Sequence, residues 1–160
     1  MTKKELLIKL REDIVTLALK QINKPYIKDT YGTDSFDCAG LAWYVYKQIL
    51  NINIFENGYG LSTTTKIMTS PIGNLLLMNE NDNDKNIKIM EKGDILLIHR
   101  QSLKSNSPSP VNKYPGHCGI YIGNGQFIHA TTKTNQVSIN NIDEKNEWNE
   151  ALIGLKRILK

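Results

Sequence analysis

The sequence lacks the features that mark several large protein classes. Only 2 of its 160 residues are cysteines, which excludes a framework of several disulfides and a four-cysteine zinc site. It contains no apolar run near the roughly 18 residues of a membrane-spanning helix, so we expect no membrane span. The N-terminus has the basic residues Lys3 and Lys4, but charged residues interrupt the segment where a secretory signal peptide would be apolar: Glu5, Lys9, Arg11, Glu12 and Asp13.

The lack of a secretory signal bears on where the protein acts. We expect a cytoplasmic protein as encoded. Three other routes stay open: release outside the cell during phage lysis, delivery by a dedicated secretion system, and excision of this stretch from a longer secreted protein.

The composition is typical of a protein that folds without disulfide bonds or a structural metal ion. With 40% hydrophobic and 22% charged residues, the chain suits a single domain over residues 1–160, and we expect a monomer. Its net charge of +4 is compatible with binding to an anionic partner. The sequence nevertheless contains no recognisable nucleic-acid-binding module. We therefore expect no nucleic-acid partner.

Hydrophobic spacing changes from a helical to a strand pattern along the chain. A Thr-x-x-Glu capping box at Thr2 opens a predicted helix that ends by 23–25. Further helices are predicted at 39–50 and 62–68, and 79–86 is predicted as a polar loop. Strands are predicted at 93–98, 118–122, 126–130, 136–140 and 151–158. Helices followed by an antiparallel meander are typical of the α+β class.

Cys38 is predicted to lie at the start of the second helix. Free N–H groups and the helix dipole favour a thiolate at that position, and the small residues Ala39 and Gly40 leave the sulfur accessible. The preceding Asp37 is interpreted as the helix cap. A buried structural cysteine is the alternative for Cys38 on this motif alone.

His117 supplies the imidazole that a thiol nucleophile needs as a base. If the loop Gly123–Gly125 has three residues, or if a bulge gives the same parity, Gly119 lies opposite His129. The two histidines then share a face and lie close together. A two-residue Asn124–Gly125 turn, the commoner choice for Asn-Gly, would instead separate them.

Other polar residues receive structural interpretations. The hydroxyl of Tyr26 can donate to a developing oxyanion, but spacing alone favours the interpretation that this aromatic residue packs on the loop. Asp94 is interpreted as part of a strand-entry turn and His99 as exposed. His117 and His129 have no accompanying carboxylate cluster, so no metal or other cofactor is expected.

Together these segments resemble the NlpC family of papain-like bacterial cysteine peptidases, which act on the cell wall. The matching segments occur in the family's order and are Pro25–Tyr26, Asp34–Leu41, Gly93–Leu96 and His117–Ala130. The resemblance implies a papain-like fold, with N-terminal helices packed on the sheet. It implies Cys38 as nucleophile, His117 as general base, His129 as the orienting residue and Tyr26 near the oxyanion.

The resemblance also implies a substrate and a partner. It implies hydrolysis of peptidoglycan stem peptides or muropeptides, commonly between D-γ-glutamyl and a diamino acid. The sequence departs from the family at Ala39, where serine is frequent, and at Cys118, where valine is usual. Cys118 is interpreted as a small core residue, and the segments 51–91 and 101–116 match nothing in the family.

Two other functions use the same residues. Acyl transfer or transamidation needs the same thiol and imidazole, with an amine or alcohol in place of water. A non-catalytic wall-binding module could retain the scaffold without the reaction. The reactivity of Cys38 relative to Cys118 toward a thiol probe separates the enzymes from the binding module.

Overall fold

A computed structural model describes residues 1–55, 63–78, 82–99 and 115–160 of the chain. Most of the predicted loop 101–116 therefore lies outside the described residues. The helices are α1 (Lys3–Leu19), α2 (Cys38–Leu50), α3 (Thr63–Thr69), α4 (Asn83–Lys88) and α5 (Glu147–Ala151). The strands are β1 (Asn74–Leu77), β2 (Ile95–His99), β3 (Pro115–Gly123), β4 (Gln126–Thr131), β5 (Gln136–Asn141) and β6 (Leu152–Arg157).

The N-terminal helix begins as its capping box predicts. The Thr2 hydroxyl accepts a hydrogen bond from the backbone N–H of Glu5 at 3.1 Å, and the Glu5 carboxylate accepts one from the Thr2 backbone at 2.7 Å. These two bonds satisfy N–H groups that the helix itself leaves unpaired. The inner side of α1 buries Ile14, Val15 and Ala18, so the helix is held by its apolar face.

The six strands form one antiparallel sheet in the order β1-β6-β2-β3-β4-β5. Alternate residues of each strand point to opposite faces, and two separate apolar clusters result. One cluster joins α1, α2 and α3 to strand residues such as Leu97 and Cys118. The other lies around Leu96 and Phe127, with Trp148 of α5 packed against it. This arrangement confirms the α+β prediction.

Three short elements were not predicted from the sequence. The segment interpreted as the polar loop 79–86 contains the start of α4, with residues 79–81 outside the described part of the chain. A helix of 6 residues is too short to display the 3.6-residue apolar period. The edge strand β1 has exposed leucines, Leu75 and Leu77, which obscure any alternation. The short helix α5 lies in a segment for which the sequence analysis predicts no element.

Asp94 joins the ends of β2 and β6. Its carboxylate is 1% exposed and accepts hydrogen bonds from Arg157 Nε at 3.0 Å and Nη2 at 2.6 Å. It also accepts one from the backbone N–H of Glu91 at 2.8 Å. A paired guanidinium satisfies a carboxylate that burial would otherwise make costly. The structural interpretation of Asp94 is thereby confirmed.

Among the described residues, none of the helices combines the length and the apolar character required to cross a membrane.

Candidate active site

Cys38 is the first residue of α2, one position before the predicted helix start. Asp37 caps this helix, since its side chain accepts a hydrogen bond from the Gly40 N–H at 2.6 Å, which confirms the predicted cap. Burial raises the pKa of the Asp37 carboxyl to about 6. A Cβ on Gly40 would lie 2.0 Å from the Thr30 carbonyl oxygen, so a glycine lets the first turn of α2 lie directly against that backbone.

The β3–β4 hairpin brings the two histidines together by the second of the predicted routes. Asn124 and Gly125, with φ of 53° and 70°, form a two-residue turn, so a three-residue loop is wrong. A register shift between Tyr121 and Gly123 restores the pairing of Ile120 with Ile128. One step further along, Gly119 lies opposite His129. A bulge therefore preserves the parity that the histidine pair requires.

The imidazoles form a hydrogen-bonded relay that ends at an amide. His117 Nε2 and His129 Nδ1 are 2.7 Å apart, and His129 Nε2 lies 2.7 Å from Asn140 Oδ1. Because an amide oxygen only accepts, His129 Nε2 carries a proton and donates it. In a neutral ring, Nδ1 then accepts from His117 Nε2, which leaves His117 Nδ1 for the Cys38 sulfur.

Burial keeps His129 neutral. Its side chain is 0% exposed, and desolvation, together with the nearby His117, lowers the pKa of His129 to about 3. A charged His129 would have to donate to His117 from Nδ1, which would reverse the relay. The structure therefore fixes the tautomer of His129, and through it the orientation of the His117 ring.

The Cys38 thiol lies in surroundings that favour its ionised form. Hydrogen bonds from Cys118 and His117, and the charge of His117, lower the pKa of Cys38 well below its usual value despite burial. Cys118 hydrogen-bonds to Cys38, and this bond and burial raise the pKa of the Cys118 thiol. Cys118 is fully buried in the core, as predicted, but it also contacts Cys38, a contact that the sequence did not predict.

Cys38 and His117 line an open cleft of about 190 Å³. Tyr26 lines the same cleft and is half-buried. His99 also lines the cleft and is half-buried. The expectation that His99 is exposed is wrong, because its strand β2 ends at the cleft wall beside β3.

Two residues outside the predicted set complete the surroundings of the histidines. The Trp148 ring lies 4.8 Å from that of His129 and 5.6 Å from that of His117, measured between centroids, and so shields their hydrogen bond from water. Asn140 fixes the end of the relay. The parity of the β4–β5 hairpin, which pairs Phe127 with Asn140, could have placed Asn140 beside His129; Trp148 is brought there only by tertiary packing.

The ring nitrogens of the histidine pair are the candidate metal ligands at this site. His117 and His129 offer ring nitrogens, but their facing nitrogens already bond to each other. In the described part of the chain, histidine, cysteine and carboxylate side chains nowhere gather in a group of three or more able to hold a metal ion. The arrangement is instead that of a thiol nucleophile beside a base that a third group orients.

Comparison with known proteins connects this geometry to a family. The model of the NlpC/P60 family matches residues 23–157. Probable endopeptidase YafL of Escherichia coli K12 is 28% identical over 141 residues, covering 88% of this chain and 47% of YafL. Murein DD-endopeptidase MepH of the same organism is 26% identical over 148 residues, covering 88% of this chain and 43% of MepH.

A solved structure shares the fold. NlpC2 from Trichomonas vaginalis superposes with a TM-score of 0.69 at 24% identity, covering 93% of this chain and 47% of that one. Among the curated relatives described above, the chain spans less than half the length of YafL and of MepH.

Proposed function

This chain belongs to the NlpC/P60 family, and from that premise we propose that it is a cysteine peptidase that hydrolyses amide bonds in peptidoglycan stem peptides. The observation that carries the proposal is the relay from Cys38 through His117 and His129 to Asn140. It supports a thiolate–imidazolium pair as the resting state, because His117 holds one proton on Nε2 and can take the thiol proton on Nδ1.

Acylation begins at the sulfur. The Cys38 thiolate attacks the scissile carbonyl carbon, a carbon–sulfur bond forms, and the carbonyl electron pair moves to the oxygen. The backbone N–H of Cys38 and the hydroxyl of Tyr26 donate to this oxyanion. His117 Nδ1 then gives its proton to the leaving nitrogen, the carbon–nitrogen bond breaks, and a thioester remains.

Deacylation uses the same groups in reverse order. His117, now neutral, removes a proton from a water molecule that attacks the thioester carbonyl. The carbon–sulfur bond breaks, and the thiolate leaves beside the imidazolium. His129 acts as a positioning residue throughout, since it holds the Nε2 proton of His117 in place without touching the substrate.

The substrate assignment rests on the relatives. MepH is named a murein DD-endopeptidase and YafL a probable endopeptidase, and these names support peptidoglycan as the substrate class. The bond that we propose is the one between D-γ-glutamyl and a diamino acid. The net charge of +4 supports attraction to anionic wall polymers, an effect that salt screens.

Incubation of purified muropeptides with the wild type and with Cys38→Ala tests the proposal. We expect the wild type to release fragments with newly exposed diamino-acid amines, detected by mass spectrometry, and Cys38→Ala to release none. Equal release by both proteins would overturn the proposal. Adding an amine acceptor identifies the alternative chemistry, because a transferase would convert the acyl fragment to the amide of that acceptor.

Cys38→Ser provides the matched control for folding, because it changes one atom. A circular dichroism spectrum and melting temperature like those of the wild type, with activity lost, would tie the loss to the thiol.

A further inference from the structure

The two cysteines of the chain are far apart in sequence and lie in contact in the fold. Cys38 and Cys118 are its only cysteines, and neither is in a disulfide. The side chain and the backbone N–H of Cys118 both hydrogen-bond to the Cys38 sulfur. Cys118 belongs to the apolar cluster beneath α2, and Cys38 packs against that cluster. The docking of α2 on β3 therefore holds one thiol against the other, with no third thiol in the chain to compete.

The two thiols differ in how they meet solvent. Cys38 lines the open cleft and is half-buried, whereas Cys118 is 0% exposed. A small oxidant that enters the cleft therefore reaches Cys38 and finds Cys118 covered. Peroxides attack the thiolate form of cysteine, and the hydrogen bonds from Cys118 and His117 lower the pKa of Cys38 well below its usual value. Cys38 is thus the thiol that oxidises first.

The fate of an oxidised Cys38 depends on its neighbour. A sulfenic acid left alone in excess peroxide proceeds to sulfinic and sulfonic acids, which thiols do not reduce. A second thiol in contact condenses with the sulfenic acid instead, and the disulfide ends the oxidation. The hydrogen bond to Cys38, burial and the negative charge of Cys38 raise the pKa of the Cys118 thiol. The effect of that charge ends when Cys38 becomes a neutral sulfenic acid, so oxidation of the first thiol favours reaction of the second.

We propose that Cys118 is a resolving cysteine, which converts peroxide-oxidised Cys38 into a Cys38–Cys118 disulfide and so inactivates the site reversibly. In the first step, the Cys38 thiolate attacks one oxygen of hydrogen peroxide and the oxygen–oxygen bond breaks. The departing hydroxide takes a proton from the His117 imidazolium and becomes water. In the second step, the Cys118 sulfur attacks the sulfenic sulfur of Cys38, and the hydroxyl leaves as water with the Cys118 proton. The sulfurs lose two electrons in all, and one hydrogen peroxide becomes two molecules of water.

The effect of this bond on activity rests on the proposed function, in which Cys38 is the nucleophile. Formation of the bond needs only the two sulfurs and the oxidant. Once it has formed, Cys38 has no thiolate with which to attack a carbonyl. A dithiol reductant attacks the disulfide and returns both cysteines to thiols.

Intact-mass spectrometry of the full chain tests the bond itself. The reduced wild type is incubated with a molar excess of hydrogen peroxide, catalase removes the peroxide, and iodoacetamide then blocks free thiols in denaturant. We expect the loss of two hydrogens, no alkylation of either cysteine and, after digestion without reductant, two peptides joined through Cys38 and Cys118. Addition of oxygen atoms instead, or a disulfide-linked dimer on a non-reducing gel, would overturn the inference.

Cys118→Ser is the matched variant, because it keeps a donor beside Cys38 and removes the second sulfur. After the same treatment, dithiothreitol should restore nearly all of the wild type's muropeptide cleavage and about a tenth or less of the variant's, each measured against its own untreated sample. The mass of the variant should increase by two or three oxygen atoms on Cys38, a readout that stands even if the substitution lowers activity. Equal recovery in both proteins would overturn the resolving role of Cys118.

The mass and activity measurements separate this inference from the function beneath it. If the untreated wild type cleaves no muropeptide, the proposed function fails, and the regulatory role falls with it while the mass still reports the disulfide. If the untreated wild type is active but gains oxygen atoms and stays inactive in dithiothreitol, the peptidase stands and the resolving role is overturned.

Discussion

The thiol of Cys118 touches the proposed nucleophile from inside the core. Its raised pKa keeps the proton on Cys118, so its S–H can donate to the Cys38 thiolate. Cys118 therefore has two roles: its side chain fills the space beneath α2, and its S–H stabilises the negative charge on the Cys38 sulfur. A valine there would fill the space and provide no donor.

Cys118→Val should make Cys38 less acidic. Because a hydrogen bond to a charged group is worth about 1.5–3 kcal/mol and 1.36 kcal/mol corresponds to about one pH unit, we expect the midpoint of Cys38 alkylation to move upward by about one to two pH units. The rate of iodoacetamide reaction, measured against pH, gives this midpoint. Cys118→Ser, which keeps an O–H donor, is the control and should stay near the wild type.

An alkylation midpoint unchanged in Cys118→Val would contradict the hydrogen bond. Cys38→Ala corrects for reaction at Cys118 itself, which is fully buried and should react slowly.

Among the secondary-structure elements, the β3–β4 hairpin determines how His117 and His129 lie relative to each other. Its turn and bulge decide whether the histidines share a face, and Gly119 gives the second ring its space. A Cβ on Gly119 would lie 2.6 Å from Phe127 Cδ2 and 3.1 Å from His129 Cβ. Because this Cβ would also lie 3.0 Å from the backbone carbonyl oxygen of Ile128, the clash cannot be relieved by a side-chain rotation alone.

Gly119→Ala should therefore separate the two imidazoles. We expect a loss of about 1–3 kcal/mol in the free energy of unfolding, as for other overpacked cores, and a fall in kcat at unchanged expression. Urea titration and muropeptide turnover measure the two effects. Full activity in Gly119→Ala would show that the histidine spacing does not depend on this glycine.

The elements with strong local signals were the ones that could be predicted. The capping box at Thr2, the Asp37 cap and the strand alternation around Gly119 all depend on neighbours within a few residues. Because alternate residues of a strand share a face, the sequence also predicts that His117 lies beside His129. The hairpin loop was harder, because a tight Asn-Gly turn and a bulge act in combination and neither alone gives the register.

Contacts made across the fold could not be predicted in the same way. Trp148 lies beside the histidines because α5, a helix of 5 residues, packs against the sheet, and no local period marks so short a helix. The Cys38–Cys118 hydrogen bond depends on how α2 docks on β3. Such distances follow from the packing of whole elements.

At the scale of the whole molecule, buried titratable groups make folding depend on pH. The pKa of His129 is about 3 in the fold and near 6.5 in an unfolded chain. A depressed histidine pKa gives stability that is present above about pH 6.5 and is lost as the pH falls toward 3. The raised pKa of Asp37, about 6, acts in the opposite direction, since its contribution is lost as the pH rises from 4 to 6.

His129→Gln should flatten the acid side of the stability profile. Between pH 6.5 and pH 4 we expect the wild type to lose roughly 3 kcal/mol more than the variant, measured by urea unfolding at each pH. Asp37 is present in both proteins, so its contribution cancels in the difference. His99→Gln controls for the loss of an imidazole outside the relay, and parallel profiles for His129→Gln and wild type would rule out a neutral buried His129.

The order β1-β6-β2-β3-β4-β5 has a consequence for synthesis on the ribosome. The final strand to emerge, β6, occupies a central position and pairs with both β1 and β2. Until Leu152–Arg157 have left the exit tunnel, β1 and β2 each lack the hydrogen-bonding partner that β6 provides. Asp94 also lacks its ion-pair partner Arg157 until then. The sulfur at position 38, made much earlier, thus acquires its complete scaffold only after β6 has joined the sheet.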